Sequence, residues 1–375
     1  MDNSIRMIRV IASVGLLTAL SSAFAVPARP DPDAGREGKA LVEKAGFRGG
    51  IVVQVGCGDG SLLAELGEDR ACVVQGLEHD RERVEQIRRA LQATGDYGRV
   101  SVRHWQDESL PYAENLINLL IVDDERAAVA GSEIERVLAP RGTAIIRRGC
   151  SVGGLATQTF SAEYAAYVKP VPKGIADWPH YLCGPDNNAT SADTVVGPPE
   201  QAQWICGPAY ARSHEINSSM AAMVSAGGRI FYVWDEGPLG QPEKRFPARW
   251  SLMARDAFNG TLLWKVPMPD WGWRQWHAES RWDDPRDRAR MLRQLPRTTT
   301  RRLVAAEDEL FVTLGYEAPV SVLDAATGRR VSTLEGTNGT DEILLDAETL
   351  ILSVRDTDRT QADSATDFRL SQNTG

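Results

Sequence analysis

Three glycines at alternate positions, Gly56, Gly58 and Gly60, follow the apolar run Val52-Val53-Gln54-Val55 and precede Ser61-Leu62-Leu63-Ala64-Glu65-Leu66. A buried strand that breaks into such a turn brings backbone close to a ligand, because glycine tolerates positive φ and has no Cβ to hold the ligand away. The helix predicted from Ser61 onward points its first amides at the same place. Glu78 ends a second apolar run, Cys72-Val73-Val74-Gln75-Gly76-Leu77, where a carboxylate can accept both hydroxyls of a ribose. The chemistry indicated is nucleotide-type cofactor binding at the C-terminal edge of a parallel sheet. The bland alternative is a tight turn beside a solvated strand-end acid.

Other reactive side chains say less. Asp123 and Asp124 end the run Ile117 to Val122, at the mouth where a parallel sheet places its ligands; they can orient a substrate or simply be solvated. His180, His214 and His277 are dispersed, and the cysteines and histidines lack the close spacing of a zinc site, so no metal is expected. Arg212-Ser213-His214-Glu215 reads either as part of a binding face or as an ordinary loop.

These elements resemble the class I S-adenosylmethionine-dependent methyltransferases. Beside the glycine turn and Glu78, the stretch from Leu110-Pro111-Tyr112 to Val122 is similar to the family's fourth strand with its preceding turn, and Glu135 to Ile146 is similar to its helix-to-strand link. The resemblance spans roughly 100 residues. It implies S-adenosylmethionine as cofactor, with Gly56, Gly58, Gly60 and Glu78 as binding residues and an adenine-contacting segment at Trp105, Gln106 and Asp107. The resemblance also breaks: the helix and hairpin that should follow Ile146 have little chain to occupy before the next region begins.

The helices and strands that carry these residues alternate up to about residue 150, as in a Rossmann-like α/β domain over 36–150, with 151–176 as a linker. Nine of the ten tryptophans lie beyond residue 170, where apolar runs become short, β-branched and separated by turns, so an all-β region over 177–375 is expected. Its turns repeat: Asp256-Ala257-Phe258-Asn259-Gly260 and Asp324-Ala325-Ala326-Thr327-Gly328 each join two apolar runs. Aspartate there can hold the turn amides while glycine takes the left-handed position.

The repeats resemble the pyrroloquinoline-quinone-type β-propeller, whose docking motif Ala254, Asp256, Asn259, Gly260 and Trp264 match; the second copy lacks the tryptophan. Trp264 is then expected to pack between blades. The segment from Asp177-Trp178-Pro179-His180-Tyr181 to Trp204 is similar to such a propeller's entry strand. The residues after Asp177 supply three or four blades, too few to close a ring, so the propeller is expected to be partial and the chain a fragment. Between the repeats lies an insertion from Pro267 to Arg302, which opens with Trp271-Gly272-Trp273-Arg274-Gln275-Trp276-His277, continues as a charged stretch from Asp283 to Arg293 expected to be helical, and either binds a carbohydrate or partner or folds its tryptophans onto the sheets.

The whole chain sets further bounds. Its 375 residues suffice for two domains, and a net charge of -9 disfavours nucleic acid as a partner. Arg6 and Arg9, the apolar run Val10 to Leu20 and Ala23-Phe24-Ala25 form a secretory signal over residues 1–25, so the protein is expected to be periplasmic or extracellular, with no membrane span after removal of the signal. The mature chain would begin near Val26. Of the five cysteines, Cys183 and Cys206 are placed to pair if geometry allows.

Three functions follow as expectations. The first is methyl transfer to an unknown acceptor by the α/β domain. The second is a non-catalytic scaffold, in which the propeller holds a small molecule or protein and the first domain has lost activity; export favours it, because S-adenosylmethionine is a cytoplasmic metabolite. The weakest is quinone-dependent oxidation, which would require pyrroloquinoline quinone and a calcium ion.

Overall fold

The computed structural model describes residues 32–69, 71–126, 129–150, 152, 154–198, 202–207, 219–237, 248–276, 283–286 and 295–355. The signal segment, Arg212 to Glu215, His277 and much of the charged stretch 283–293 lie outside them. Among the described residues no helix is long and apolar enough to cross a membrane.

The first domain is a seven-stranded sheet. Its strands are β1 (Gly50–Val55), β2 (Cys72–Glu78), β3 (Val100–His104), β4 (Ile117–Val122), β5 (Leu138–Arg147), β6 (Gln158–Thr159) and β7 (Tyr164–Val168), in the spatial order β3-β2-β1-β4-β5-β7-β6. The first five run parallel, and β7 returns antiparallel to β5. Sequence reading thus anticipated the parallel sheet. The stretch 151–176 departs from the expected linker, because Tyr164 to Val168 pairs with Thr143 to Arg147 and closes the edge that β5 would leave open.

Both faces of the sheet are covered, which is why β1 and β4 are mostly apolar, broken only by Gln54 and Asn118. Val52 and Leu119 face one core with Leu63, Ile87 and Leu91, whereas Val53 and Leu120 face another with Ile134 and Val137. The helices are α1 (Pro32–Lys44), α2 (Ser61–Gly67), α3 (Arg81–Thr94) and α4 (Gly131–Val137). In α3, Asp80 caps the start by accepting from the Glu82 and Arg83 amides, Gly95 ends it in the left-handed region, and Val84, Ile87 and Leu91 form the buried stripe.

The rest is antiparallel. Strands β8 (Met220–Ala226), β9 (Arg229–Asp235), β10 (Trp250–Asp256) and β11 (Leu262–Pro267) form one meander. A second contains β12 (Leu303–Ala305), β13 (Glu309–Thr313), β14 (Val320–Asp324) and β15 (Arg330–Thr333), and β16 (Thr340–Asp346) pairs with β17 (Thr349–Val354). Leading strands are neighbours: β12 lies against β8 and also against β16. The segment at Trp178 and Pro179 runs between β8 and β12, its carbonyls accepting from Ser225 and Ala305.

The two repeated turns have one geometry. Asp256 Oδ1 accepts from the Phe258 and Asn259 amides, Asp324 Oδ1 accepts from the Thr327 amide and hydroxyl, and Gly260 and Gly328 take φ of 72° and 71°. Two of the insertion tryptophans are core residues rather than part of an open binding surface. Trp271 and Trp276 are buried between the two meanders with Trp250, and Trp271 Nε1 donates to the Thr313 carbonyl at 3.0 Å. Large apolar rings adjoining an apolar core gain more from burial than from exposure, which decides between the two readings for Trp271 and Trp276. Cys183 and Cys206 are free thiols rather than a pair.

The two parts of the chain meet through Asn118 on β4. Its Oδ1 accepts from the Ile51 amide at 2.8 Å and from Asn259 Nδ2 at 2.6 Å, while its Nδ2 donates to Asp256 Oδ2 at 2.7 Å. Asn259 Nδ2 also donates to the Leu116 carbonyl at 2.9 Å. The first repeated turn is thereby bonded directly to the base of the parallel sheet.

Candidate functional site

The strand order changes direction between β1 and β4, and a doubly wound sheet binds ligands beyond the strand ends at such a point. The predicted glycines lie there, each in a different setting. All three have positive φ, but the Asp124 main chain covers Gly56, a Cβ at Gly60 would meet Ile87 at 2.9 Å, and Gly58 faces open space. Only Gly58 offers bare backbone to a ligand.

Glu78 ends β2 as expected, though its side chain is 0% exposed. Oε2 accepts from the Cys57 amide at 3.1 Å and Oε1 from the Asp80 amide at 3.1 Å, with Arg83 Nη1 3.6 Å from Oε2. The carboxylate therefore braces the glycine turn against the start of α3. Cys57 beside it is an inert thiol: burial pushes its pKa well up, and the charge of Glu78 adds to the effect.

The segment assigned to adenine contact divides. Trp105 is buried, its ring lies edge-on to His79 at 5.0 Å between centroids, and its Nε1 donates to the Ser109 carbonyl; it is a core residue. Gln106 and Asp107 are exposed on the loop after β3. Asp107 is thus at the ligand end of the sheet but shares no hydrogen bond with the glycine turn or Glu78 among the described residues.

The aspartates after β4 also separate. Asp124 accepts from the backbone and side chain of Arg126; burial alone would raise its pKa, but these bonds and the guanidinium charge outweigh burial and hold the carboxyl below its usual range. Asp123 faces a cavity of about 330 Å³ that Gly58, Asp59, Ser61, Arg147 and Tyr164 also line. Arg147 Nε donates to Asp123 Oδ1, Arg147 Nη2 donates to the Tyr164 hydroxyl at 3.0 Å, and that hydroxyl donates to Asp123 at 3.3 Å. Burial, then the Asp123 charge, raises the Tyr164 pKa, and the Asp123 hydrogen bond keeps Arg147 firmly protonated.

Residues 36–121 match the family model for the methionine biosynthesis protein MetW. Among solved structures, the [4+2]-cyclase SpnF is similar at 25% identity, covering 30% of this chain and 44% of that one, with a TM-score of 0.27. The YcgJ protein from Bacillus subtilis is 20% identical over 30% of this chain and 49% of that one, with a TM-score of 0.26. Geranyl diphosphate C-methyltransferase from Streptomyces coelicolor, solved with Mg²⁺, geranyl diphosphate and S-adenosyl-L-homocysteine, is 18% identical over 30% of this chain and 45% of that one, with a TM-score of 0.28. The chain thus spans less than half the length of these proteins. No curated protein matches it. Over residues 36–121 the α/β domain is MetW-like.

Arg147 and Tyr164 were not legible as site residues of this MetW-like domain. A charged residue closing the apolar run Ala144-Ile145-Ile146 was the available signal for Arg147. Tyr164 had none, because only the antiparallel return of β7 carries it back to the ends of β4 and β5. Among the described residues, no group of three His, Cys, Asp or Glu side chains is close enough to share a metal ion.

Proposed function

We propose that the α/β domain binds S-adenosylmethionine at the ends of β1 and β2 and serves methyl transfer to an acceptor in the neighbouring cavity. The observation that carries this reading is Gly58: a left-handed turn residue with open space above it, in a turn braced by the strand-end carboxylate. The bound group would supply an electrophilic methyl on a sulfonium. Gly58 would let it approach the backbone, Glu78 would take the ribose hydroxyls on exchanging a backbone amide for them, and Asp107 would lie on the adenine side. Asp123, fixed by Arg147 and Tyr164, is placed to orient the acceptor.

One observation favours the scaffold reading. Both Glu78 oxygens are already bonded to main-chain amides and Asp124 covers Gly56, so the crevice satisfies itself without a ligand. Calorimetric titration of the full chain with S-adenosylmethionine separates the two. Binding that Gly58→Val removes supports cofactor use, and absence of heat at millimolar ligand leaves the scaffold.

We read the antiparallel sheets as consecutive propeller blades, supported by the adjacency of β8, β12 and β16 and by the matching turns. Small molecules or proteins bound there remain the scaffold's expected partners. Export belongs to the same proposal, supported by the basic start, apolar core and Ala23-Phe24-Ala25. N-terminal sequencing of the mature protein tests it, with Val26 as the expected first residue.

A further inference from the structure

At the opposite end of the sheet from the glycine turn, a cavity of about 260 Å³ separates the α/β domain from the first meander. Three arginines from three segments line it: Arg48 between α1 and β1, Arg141 in β5, and Arg229 at the start of β9. Gly142 and Gly228 form part of the same wall. Arg141 has φ of 69°, a left-handed conformation that suits glycine, and here it carries a guanidinium into the space between the domains.

The charges in this space are not balanced. Arg141 pairs with Glu307, and Arg229 Nη1 donates to the Glu307 carbonyl at 3.1 Å. Asp256 also lines the cavity, but its Oδ2 accepts from Asn118, its Oδ1 accepts from two turn amides, and burial pushes its pKa up. Asp308 and Asp324 act on Arg229 without lining the cavity. Arg48 is exposed and makes no hydrogen bond or ion pair with the described residues. Most guanidinium donors at this site thus remain available, and burial together with the Arg141 charge works against Arg229's own proton.

We propose that this cavity binds a phosphate-class oxyanion between Arg48, Arg141 and Arg229. Guanidinium groups present paired N–H donors whose spacing matches two oxygens of such an anion, and each bond is charge-assisted. Arg229 is half-buried, so water competes less for its donors than for those of the exposed Arg48 and Arg141. The site stands on the interdomain geometry and is independent of cofactor binding at the other end of the strands.

The test is thermal unfolding of the full chain in inorganic phosphate and in sodium chloride at matched ionic strength, with Arg48→Gln and Arg141→Gly compared. Glycine at 141 keeps the backbone conformation while removing the guanidinium, so folding and anion binding are read separately. Phosphate is expected to raise the wild-type midpoint saturably where chloride does not, and each variant is expected to need about tenfold more phosphate for half the shift. An equal shift in chloride, no saturable shift, or wild-type half-saturation in either variant overturns the proposal.

Discussion

The indole of Trp264 lies so close over Gly328 that a Cβ there would sit 2.6 Å from the ring, and its Nε1 donates to the Ala325 carbonyl at 3.0 Å. Trp204 repeats the relationship one unit earlier: it donates to the Ala257 carbonyl at 3.0 Å, and a Cβ on Gly260 would lie 2.4 Å from its ring. A tryptophan from one unit thus docks on the Asp-Ala-x-x-Gly turn of the next. After the second turn Ser332 holds the position that Trp264 holds after the first.

Trp264→Ala is expected to destabilise the antiparallel region by about 3 to 5 kcal/mol, since it empties a buried site and orphans the Ala325 carbonyl. Gly328→Ala should act in the same direction, because the methyl meets the ring and the residue must keep φ of 71°. Chemical denaturation followed by tryptophan fluorescence checks both, and an unchanged midpoint would mean that the docking does not hold the units together.

Asn118→Ala should loosen the two parts of the chain. It leaves the Ile51 amide without its acceptor and removes both bonds to the Asp256 to Gly260 turn, a loss of roughly 1 to 3 kcal/mol. Limited proteolysis should then release the α/β domain faster than in wild type. Asn118→Asp is the informative second variant: it retains an acceptor for Ile51 but sets a carboxylate against Asp256, which faces Asn118 at 2.7 Å.

Glu78→Ala is expected to lower the stability of the α/β domain by about 2 kcal/mol even without cofactor, because it orphans the Cys57 and Asp80 amides. Gly58→Val should cost less, about 1 to 2 kcal/mol from its left-handed backbone, while blocking approach to the turn. Urea midpoints and calorimetric titration on the same variants separate bracing from binding. A Glu78 variant as stable as wild type would show that the amides find other acceptors.

His180 makes stability depend on pH. Its Nε2 accepts from the Leu345 amide at 3.0 Å, which fixes the neutral ring, and burial lowers its pKa from 6.5. The folded state therefore binds a proton less readily than the unfolded state. The contribution is complete above pH 6.5 and is lost as pH falls from there through the folded value. Urea midpoints between pH 8 and pH 5 should drop more for wild type than for His180→Gln, whose amide oxygen can still accept from Leu345. Parallel slopes would remove His180 from the account.

Much of this structure was readable from local sequence. Val52 to Val55 and Ile117 to Val122 predict central parallel strands because both faces are mostly apolar, and Asp80 with Gly95 bounds α3 through caps that need only neighbouring residues. The repeated Asp-to-Gly turns were legible for the same reason: aspartate bonds amides two and three residues away. Trp264 as a docking residue followed from its distance beyond the turn.

Long-range packing decided the rest. Sequence placed Glu78 at a strand end, but only the folding of α3 over the glycine turn buries it and gives both oxygens backbone partners. Arg147 meets Asp123 across the parallel β4–β5 pair, Tyr164 reaches both through an antiparallel return that no local pattern encodes, and Trp271 and Trp276 are buried between the two meanders rather than within their own segment. Asn118 is likewise more than one hundred residues from its partners Asp256 and Asn259. Sequence by itself determined the elements and their turns, whose hydrogen bonds close within a few residues; tertiary structure decided which polar groups face a ligand, because burial and pairing depend on surfaces brought together from distant segments.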